Sequence, residues 1–139
     1  MQSVIITVMA RKSKLGTITI RDDANVWPHE MKSAKTLIKY GHNVEFLPES
    51  KRDGEKRADC YLDNVLWEMK APRGATLNIV ERNLRRAAKK SRNVIFDSRR
   101  TKRVPDTAIE RELSVQLKSI KKINAIKFIN RHAKIIDIK

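Results

Sequence analysis

Apolar positions along this chain switch between a period of two and a period near 3.6, and the switches mark its elements. Val4 to Met9 and Thr17 to Ile20 are β-branched runs around a basic stretch with Gly16, which predicts a hairpin. Asp22 to Asn25 breaks the pattern, and Asn25 or a neighbour is placed to cap a helix that Pro28 helps start. That helix is expected from about Pro28 to Tyr40, with Ala34 and Leu37 inward and Gly41 as its terminator. Val44 to Leu47 reads as a short strand ended by Pro48, and Glu49 to Lys56 as a charged loop. Arg57 to Lys70 reads as a second hairpin turning on Asp63-Asn64, a pair that tolerates positive φ. Thr76 is the expected N-cap of a helix reaching about Ser91. Leu77, Val80, Leu84, Ala87 and Ala88 lie on one side of it, with Arg82, Arg85, Arg86 and Lys89 opposite. A strand at Val94 to Phe96, a basic loop at Ser98 to Arg103 and a helix from Asp106 carrying Ile109, Leu113, Leu117 and Ile120 follow. Ile123 to Ile129 and Lys134 to Ile138 close the chain as two strands turning at Asn130 to His132. The pattern is that of one mixed α/β (α+β) domain over residues 1–139, without repeats.

The central hairpin carries the candidate chemistry. A turn at Asp63-Asn64 sets Leu62 opposite Val65, Tyr61 opposite Leu66, and Asp59 opposite Glu68. Like charges directly opposed destabilise a sheet, and a divalent cation between them would remove the conflict, since hard cations take oxygen ligands. A solvated hairpin face with an incidental acid pair accounts for the same residues. Lys70, two residues beyond Glu68, projects from the same face. Glu30 lies four residues before Ala34, on the inward stripe at the helix start. There it complements the helix dipole, or serves as a third acid beside Asp59 and Glu68. His29 points elsewhere around the helix, a surface or substrate-contact position. His29, His42 and His132 share no metal-ligand spacing, which argues against structural zinc. The single cysteine, Cys60, excludes an intrachain disulfide and reads as a small apolar residue.

Charge narrows the partners. The chain holds 31 Lys and Arg against 16 Asp and Glu, a net charge of +15, which attracts nucleic acid first and anionic membranes second. Residues 73–103 alone carry a net +9. No apolar run approaches the ~20 residues of a membrane-spanning helix. Arg11, Lys12 and Lys14 follow the first apolar run instead of preceding it, unlike a signal peptide. The expectation is a cytoplasmic site of action, either for a chain natural from Met1 or for a domain cut from a larger exported protein.

The order is Glu30 helix, strand, Asp59 strand, Glu68-Met69-Lys70 strand, basic helix, strand. It resembles the PD-(D/E)XK nuclease superfamily over about Pro28 to Phe96. Ala58-Asp59 stands where that superfamily has its Pro-Asp element, and Glu68-Met69-Lys70 matches its ExK element. Four stretches are similar to the C-terminal tRNase toxin domains of contact-dependent inhibition proteins: Glu30 to Val44, Arg57 to Asp63, Trp67 to Pro72 and Ile79 to Ala88. Gly74-Ala75-Thr76 matches the Gly-X-Thr turn of that group. A helix-borne Gln common in the superfamily is not evident, and Lys89-Lys90 stand near its place.

The resemblance implies a restriction-endonuclease-like αβββαβ core, its mixed central sheet flanked by helices, with extra N-terminal and C-terminal strands. It implies Asp59, Glu68 and Glu30 as metal-site acids and Glu30, Asp59, Glu68 and Lys70 as catalytic residues. Mg²⁺ is the expected metal, with Mn²⁺ or Zn²⁺ as alternatives. Thr76, Arg82, Arg85, Arg86 and Lys89 are the expected substrate contacts. For the arginines, an ordinary solvated helix face is the plainer explanation. The implied partners are RNA, tRNA favoured over DNA, and an acidic immunity protein; the oligomeric state is left open. The competing readings are a DNA endonuclease of the same superfamily, such as a junction resolvase, and a non-catalytic basic module that binds nucleic acid.

Overall fold

The computed structural model describes residues 3–7, 14–49 and 57–139, with side chains from Lys14 onward. The fold is mixed α+β. Its residues group into two compact units, Met1–Trp67 and Glu68–Lys139.

In the first unit, β1 (Ser3–Thr7) pairs antiparallel with β2 (Thr17–Arg21), Ser3 opposite Arg21 and Thr7 opposite Thr17. This is the expected N-terminal hairpin; its connection falls largely outside the described residues, as does the charged loop from Ser50 to Lys56. Helix α1 (Pro28–Lys39) carries the chain from β2 to β3 (Val44–Phe46), which runs parallel to β2 as such a crossover requires. Pro28 occupies the first helical position, and Gly41 follows the helix at φ 89°, a conformation that costs glycine little. The N-cap is Trp27, not Asn25: α1 begins directly at Pro28, two residues after the position a cap at Asn25 would require. Ala34, Leu37 and Ile38 are buried, as are Ile18, Val44 and Phe46 on the strands against which α1 packs.

The hairpin β4 (Cys60–Leu62) and β5 (Val65–Lys70) has the expected turn. Asp63 and Asn64 stand at φ 49° and 69°, the left-handed pair of a two-residue loop whose twist matches the strands. Its register is Leu62 opposite Val65, Tyr61 opposite Leu66 and Cys60 opposite Trp67. Asp63 braces the turn: its carboxylate accepts from the Asn43 amide at 2.8 Å and lies 2.7 Å from His42 Nδ1. Cys60 is buried, its thiol 3.7 Å from the Trp67 carbonyl, in the packing role expected of it.

In the second unit, residues Glu68 to Lys70 of β5 pair parallel with β6 (Asn93–Asp97), and β6 pairs parallel with β7 (Ala125–Ile129). β8 (Ile135–Asp137) closes antiparallel on β7. The two parallel pairs need crossovers, supplied by α2 (Asn78–Ala87) and α3 (Asp106–Ser119). Val94, Phe96, Ile126 and Phe128 join Val80, Leu84, Ile109 and Leu113 of the two helices in one buried cluster. Burying each such side chain is worth about 1.5–3 kcal/mol, so this cluster dominates the unit's stability.

Helix α2 differs from its expectation in three ways. Its N-cap is Leu77 in helical conformation, not Thr76. It ends at Ala87, after which Lys89 and Lys90 bond to the Arg86 and Ala87 carbonyls three residues back, a tightened last turn instead of a helix to Ser91. Leu77 is exposed and Ile79 is buried, so the inward stripe is rotated toward Ile79, Val80, Leu84 and Ala87.

Candidate active site

Glu68 stands out as a carboxylate in the second unit that is 1% exposed. Moving an ionised carboxylate out of water is costly unless opposite charge accompanies it. Two ammonium groups do so from different elements. Lys70, two residues along β5 and on the same face, holds Nζ 3.7 Å from Glu68 Oε2. Lys90, in the tightened turn after α2, holds Nζ 3.6 Å from the same oxygen. Both distances exceed a direct charge-assisted hydrogen bond of about 2.7–2.9 Å, so the contacts are electrostatic. Glu68 is opposite Val94 and Lys70 opposite Phe96, which sets both on the sheet face that α2 and α3 cover.

The structure therefore brings together Glu68 and Lys70, two of the four expected catalytic residues, and adds Lys90. Lys90 is not among the expected catalytic or substrate residues, although with Lys89 it stands near the place of the superfamily's Gln and the helix carries a signal for it. Ile79, Asn83, Ala87 and Lys90 follow at spacings of four, four and three, a single helical line. Setting the stripe on Leu77 instead of Ile79 turned that line away from the sheet.

The other expected site residues belong to the first unit or to the exposed side of α2. Asp59 is half-buried at the bend before β4, and its carbonyl accepts from the Leu47 amide at 3.0 Å. Glu30 is in the first turn of α1, where Oε1 accepts from the Trp27 amide at 2.9 Å. That bond satisfies one of the four amides a helix start leaves without an intrahelical partner, and the charge faces the positive end of the helix dipole. Thr76 is exposed, its hydroxyl bonded to Asn78 Oδ1. Arg82, Arg85, Arg86 and Lys89 are all exposed along one side of α2, as expected, and Arg85 pairs with Glu81 at 2.9 Å.

Among the described residues no group of three or more His, Cys, Asp or Glu side chains is gathered as a metal cluster. His42 is engaged with Asp63. The carboxylate oxygen of Glu68 is a hard donor, which suits Mg²⁺, a cation that keeps most of its waters and takes one or two carboxylates, better than a nitrogen- and sulfur-ligated metal.

Residues 56–135 match the contact-dependent growth inhibition CdiA C-terminal domain, more than half of the chain. The chain belongs to that family. The matched span contains Asp59, Glu68, Lys70 and Lys90 and begins after Glu30. One chain of the CdiA-CT/CdiI toxin and immunity complex from Burkholderia pseudomallei shares the fold, with a TM-score of 0.63 at 17% identity. That similarity covers 86% of this chain and 98% of the other. No curated protein matches this CdiA C-terminal domain by sequence. Among the described residues no helix is long and apolar enough to cross a membrane.

Proposed function

We propose that this CdiA C-terminal domain is a toxin acting as a metal-dependent nuclease that hydrolyses phosphodiester bonds in RNA. The observation that carries the reading is Glu68, buried on β5 between the ammonium groups of Lys70 and Lys90. A fold gains little from such a cluster, because apolar side chains of similar volume stabilise a core as well or better. Buried carboxylates with converging opposite charge are candidates for functional sites.

In this proposal Asp59 and Glu68 supply the metal carboxylates, with Mg²⁺ as the ion. Their partnership rests on the hairpin's sequence pattern and on the resemblance to PD-(D/E)XK nucleases. A bound divalent cation would polarise the phosphoryl oxygen and lower the pKa of a coordinated water. Lys70 positions the attacking water and offsets charge developing on the phosphate. Lys90 orients the Glu68 carboxylate from the turn after α2. Arg82, Arg86 and Lys89 hold substrate phosphates, while Arg85 divides its charge with Glu81. Thr76 is a further contact at the helix start. Glu30 is the candidate third acid, with Oε1 already accepting from the Trp27 amide at the start of its own helix.

The preference for RNA, and for tRNA within RNA, comes from the toxin-domain resemblance. The same likeness, together with a net charge of +15, supports an acidic immunity protein as partner and action inside a target cell after export as part of a larger toxin. The test is incubation of the purified chain with total tRNA, rRNA and plasmid, with Mg²⁺ or with EDTA. Metal-dependent loss of tRNA, abolished by Asp59→Ala and by Glu68→Ala, is the expected result. Cleavage of plasmid with RNA intact would move the chain to a DNA endonuclease. Binding of RNA without any cleavage would leave a non-catalytic module.

A further inference from the structure

The loop between β6 and α3 presents cations in a way that ordinary surface charge does not. It begins where the candidate site ends: Lys70 is opposite Phe96, and β6 finishes one residue later at Asp97. Two neighbouring arginines, half-buried Arg99 and exposed Arg131, are committed to partners within the fold. Arg99 forks onto the buried Asp97 carboxylate, with NH2 2.7 Å and Nε 3.0 Å from its two oxygens. Arg131, from the turn after β7, donates to the Val104 carbonyl at 2.8 Å and to the Thr101 carbonyl and hydroxyl at 3.0 and 2.7 Å. The Thr101 hydroxyl in turn donates to the Ser98 carbonyl at 2.7 Å, and Ser98 donates to Asp106 at 2.7 Å. The loop following β5 is tied in as well, because the Lys102 amide donates to the Gly74 carbonyl at 2.8 Å. The Ser98, Thr101 and Val104 carbonyls are thus each engaged by a side chain, which braces the loop as a platform.

On that platform Lys102 and Arg103 are exposed and Arg100 is half-buried, beside exposed Arg73 of the loop it bonds. No ion pair among the described residues engages any of these four. Arg103 also stands at φ 65°, in the left-handed region that disfavours a side chain and suits glycine. Retaining an unpaired arginine in a strained backbone position has no explanation in the fold, and such strain collects where a ligand is bound.

We infer that Arg103 and Lys102, with Arg73, form a second phosphate-binding surface, which grips the nucleic-acid backbone as it passes the carboxyl ends of β5 and β6. The position is the one where parallel sheets receive ligands. The choice of nucleic acid over an acidic polypeptide rests on the nuclease reading above and on the closeness in register to Lys70.

The experiment measures binding of labelled bulk tRNA to the full chain in EDTA over a range of salt concentrations, with poly-glutamate as a second probe. Arg103→Gly removes the cation and relieves the strained backbone. It should leave the melting temperature unchanged or raised, weaken tRNA binding by about tenfold, and lower the salt slope by about 0.7. Adding Lys102→Ala should lower the slope by about as much again. Lys118→Ala, an equal charge change on the exposed side of α3, should do neither. Unchanged tRNA affinity and slope in Arg103→Gly would overturn the inference, and would leave the nuclease reading intact if Glu68→Gln still lost cleavage. Loss of poly-glutamate binding alone would overturn it in favour of an acidic protein partner.

Discussion

Glu30 and Glu68 are two acids in two separate units, and both stand on inward-turned positions of their elements. Their surroundings divide them. Glu30 gives an oxygen to the Trp27 amide at its own helix start, a task any good acceptor performs. Glu68 is 1% exposed in mid-strand, with one ammonium from its own strand and another from the turn after α2. A capping acid answers a local demand of the backbone. A buried acid ringed by cations from two elements answers no demand of the fold, since an apolar residue would satisfy the sheet. What marks a candidate catalytic acid is therefore burial together with converging opposite charge, and an inward position on an amphipathic stripe does not supply it.

The largest expected effect breaks the Glu68 side of this contrast. Glu68→Gln keeps shape and hydrogen-bonding capacity but removes the charge that Lys70 and Lys90 face. Cleavage of tRNA should fall by about 10²–10³-fold or more, while the thermal transition stays cooperative. Wild-type rates in Glu68→Gln would return the cluster to a structural ion group. Next comes a comparison between adjacent lysines. Lys90→Ala should reduce the turnover rate by about 10–100-fold, the range for groups that orient a metal-binding residue, with partial recovery in Lys90→Arg. Lys89→Ala, one residue earlier and exposed, should weaken substrate binding only. Equal kinetic effects of the two would remove Lys90 from the site.

The same contrast explains what could be read in the chain. The turn at Asp63-Asn64 was legible because positive φ at two successive residues admits few residue types, and it fixed the register from Leu62–Val65 to Cys60–Trp67. The element order was legible because α1, α2 and α3 each have a pronounced apolar side. A stripe set on Leu77, which is exposed, leaves Lys90 off the inward side of α2, although Lys89-Lys90 stand near the place of the superfamily's helix-borne Gln. Arg99 counts in the sequence as one more cation of a basic loop, yet its guanidinium is paired with the buried Asp97. Periodicity reports which side of an element faces inward. It does not report which charges are consumed by partners far away in sequence, as Arg131 shows by binding Thr101 and Val104.

A smaller effect is expected on the exposed side of α2. Arg82→Ala with Arg86→Ala should flatten the salt dependence of tRNA binding by about 1.4, two single-strand phosphate contacts, across all sequences and without changing turnover at saturating substrate. An unchanged slope would leave the loop carrying Lys102 and Arg103 as the main grip.

The smallest effect tests the Glu30 side and separates its two roles. Glu30→Gln retains a side-chain oxygen for the Trp27 amide and loses the charge, so the cap survives while any ion or base function does not. Glu30→Ala loses both, and should destabilise the protein by about 0.5–1 kcal/mol, the lower part of the range for a lost cap at an exposed helix start. If capping is the whole of its work, Glu30→Gln keeps the melting temperature and cleaves within a few-fold of the parent, far from the loss in Glu68→Gln. A Glu30→Gln variant with an unchanged melting temperature and a rate reduced as deeply as in Glu68→Gln would make Glu30 a true third acid. The contrast between the two glutamates would then lie in how many tasks each performs, because the helix-start bond engages one oxygen and the reaction would require the other.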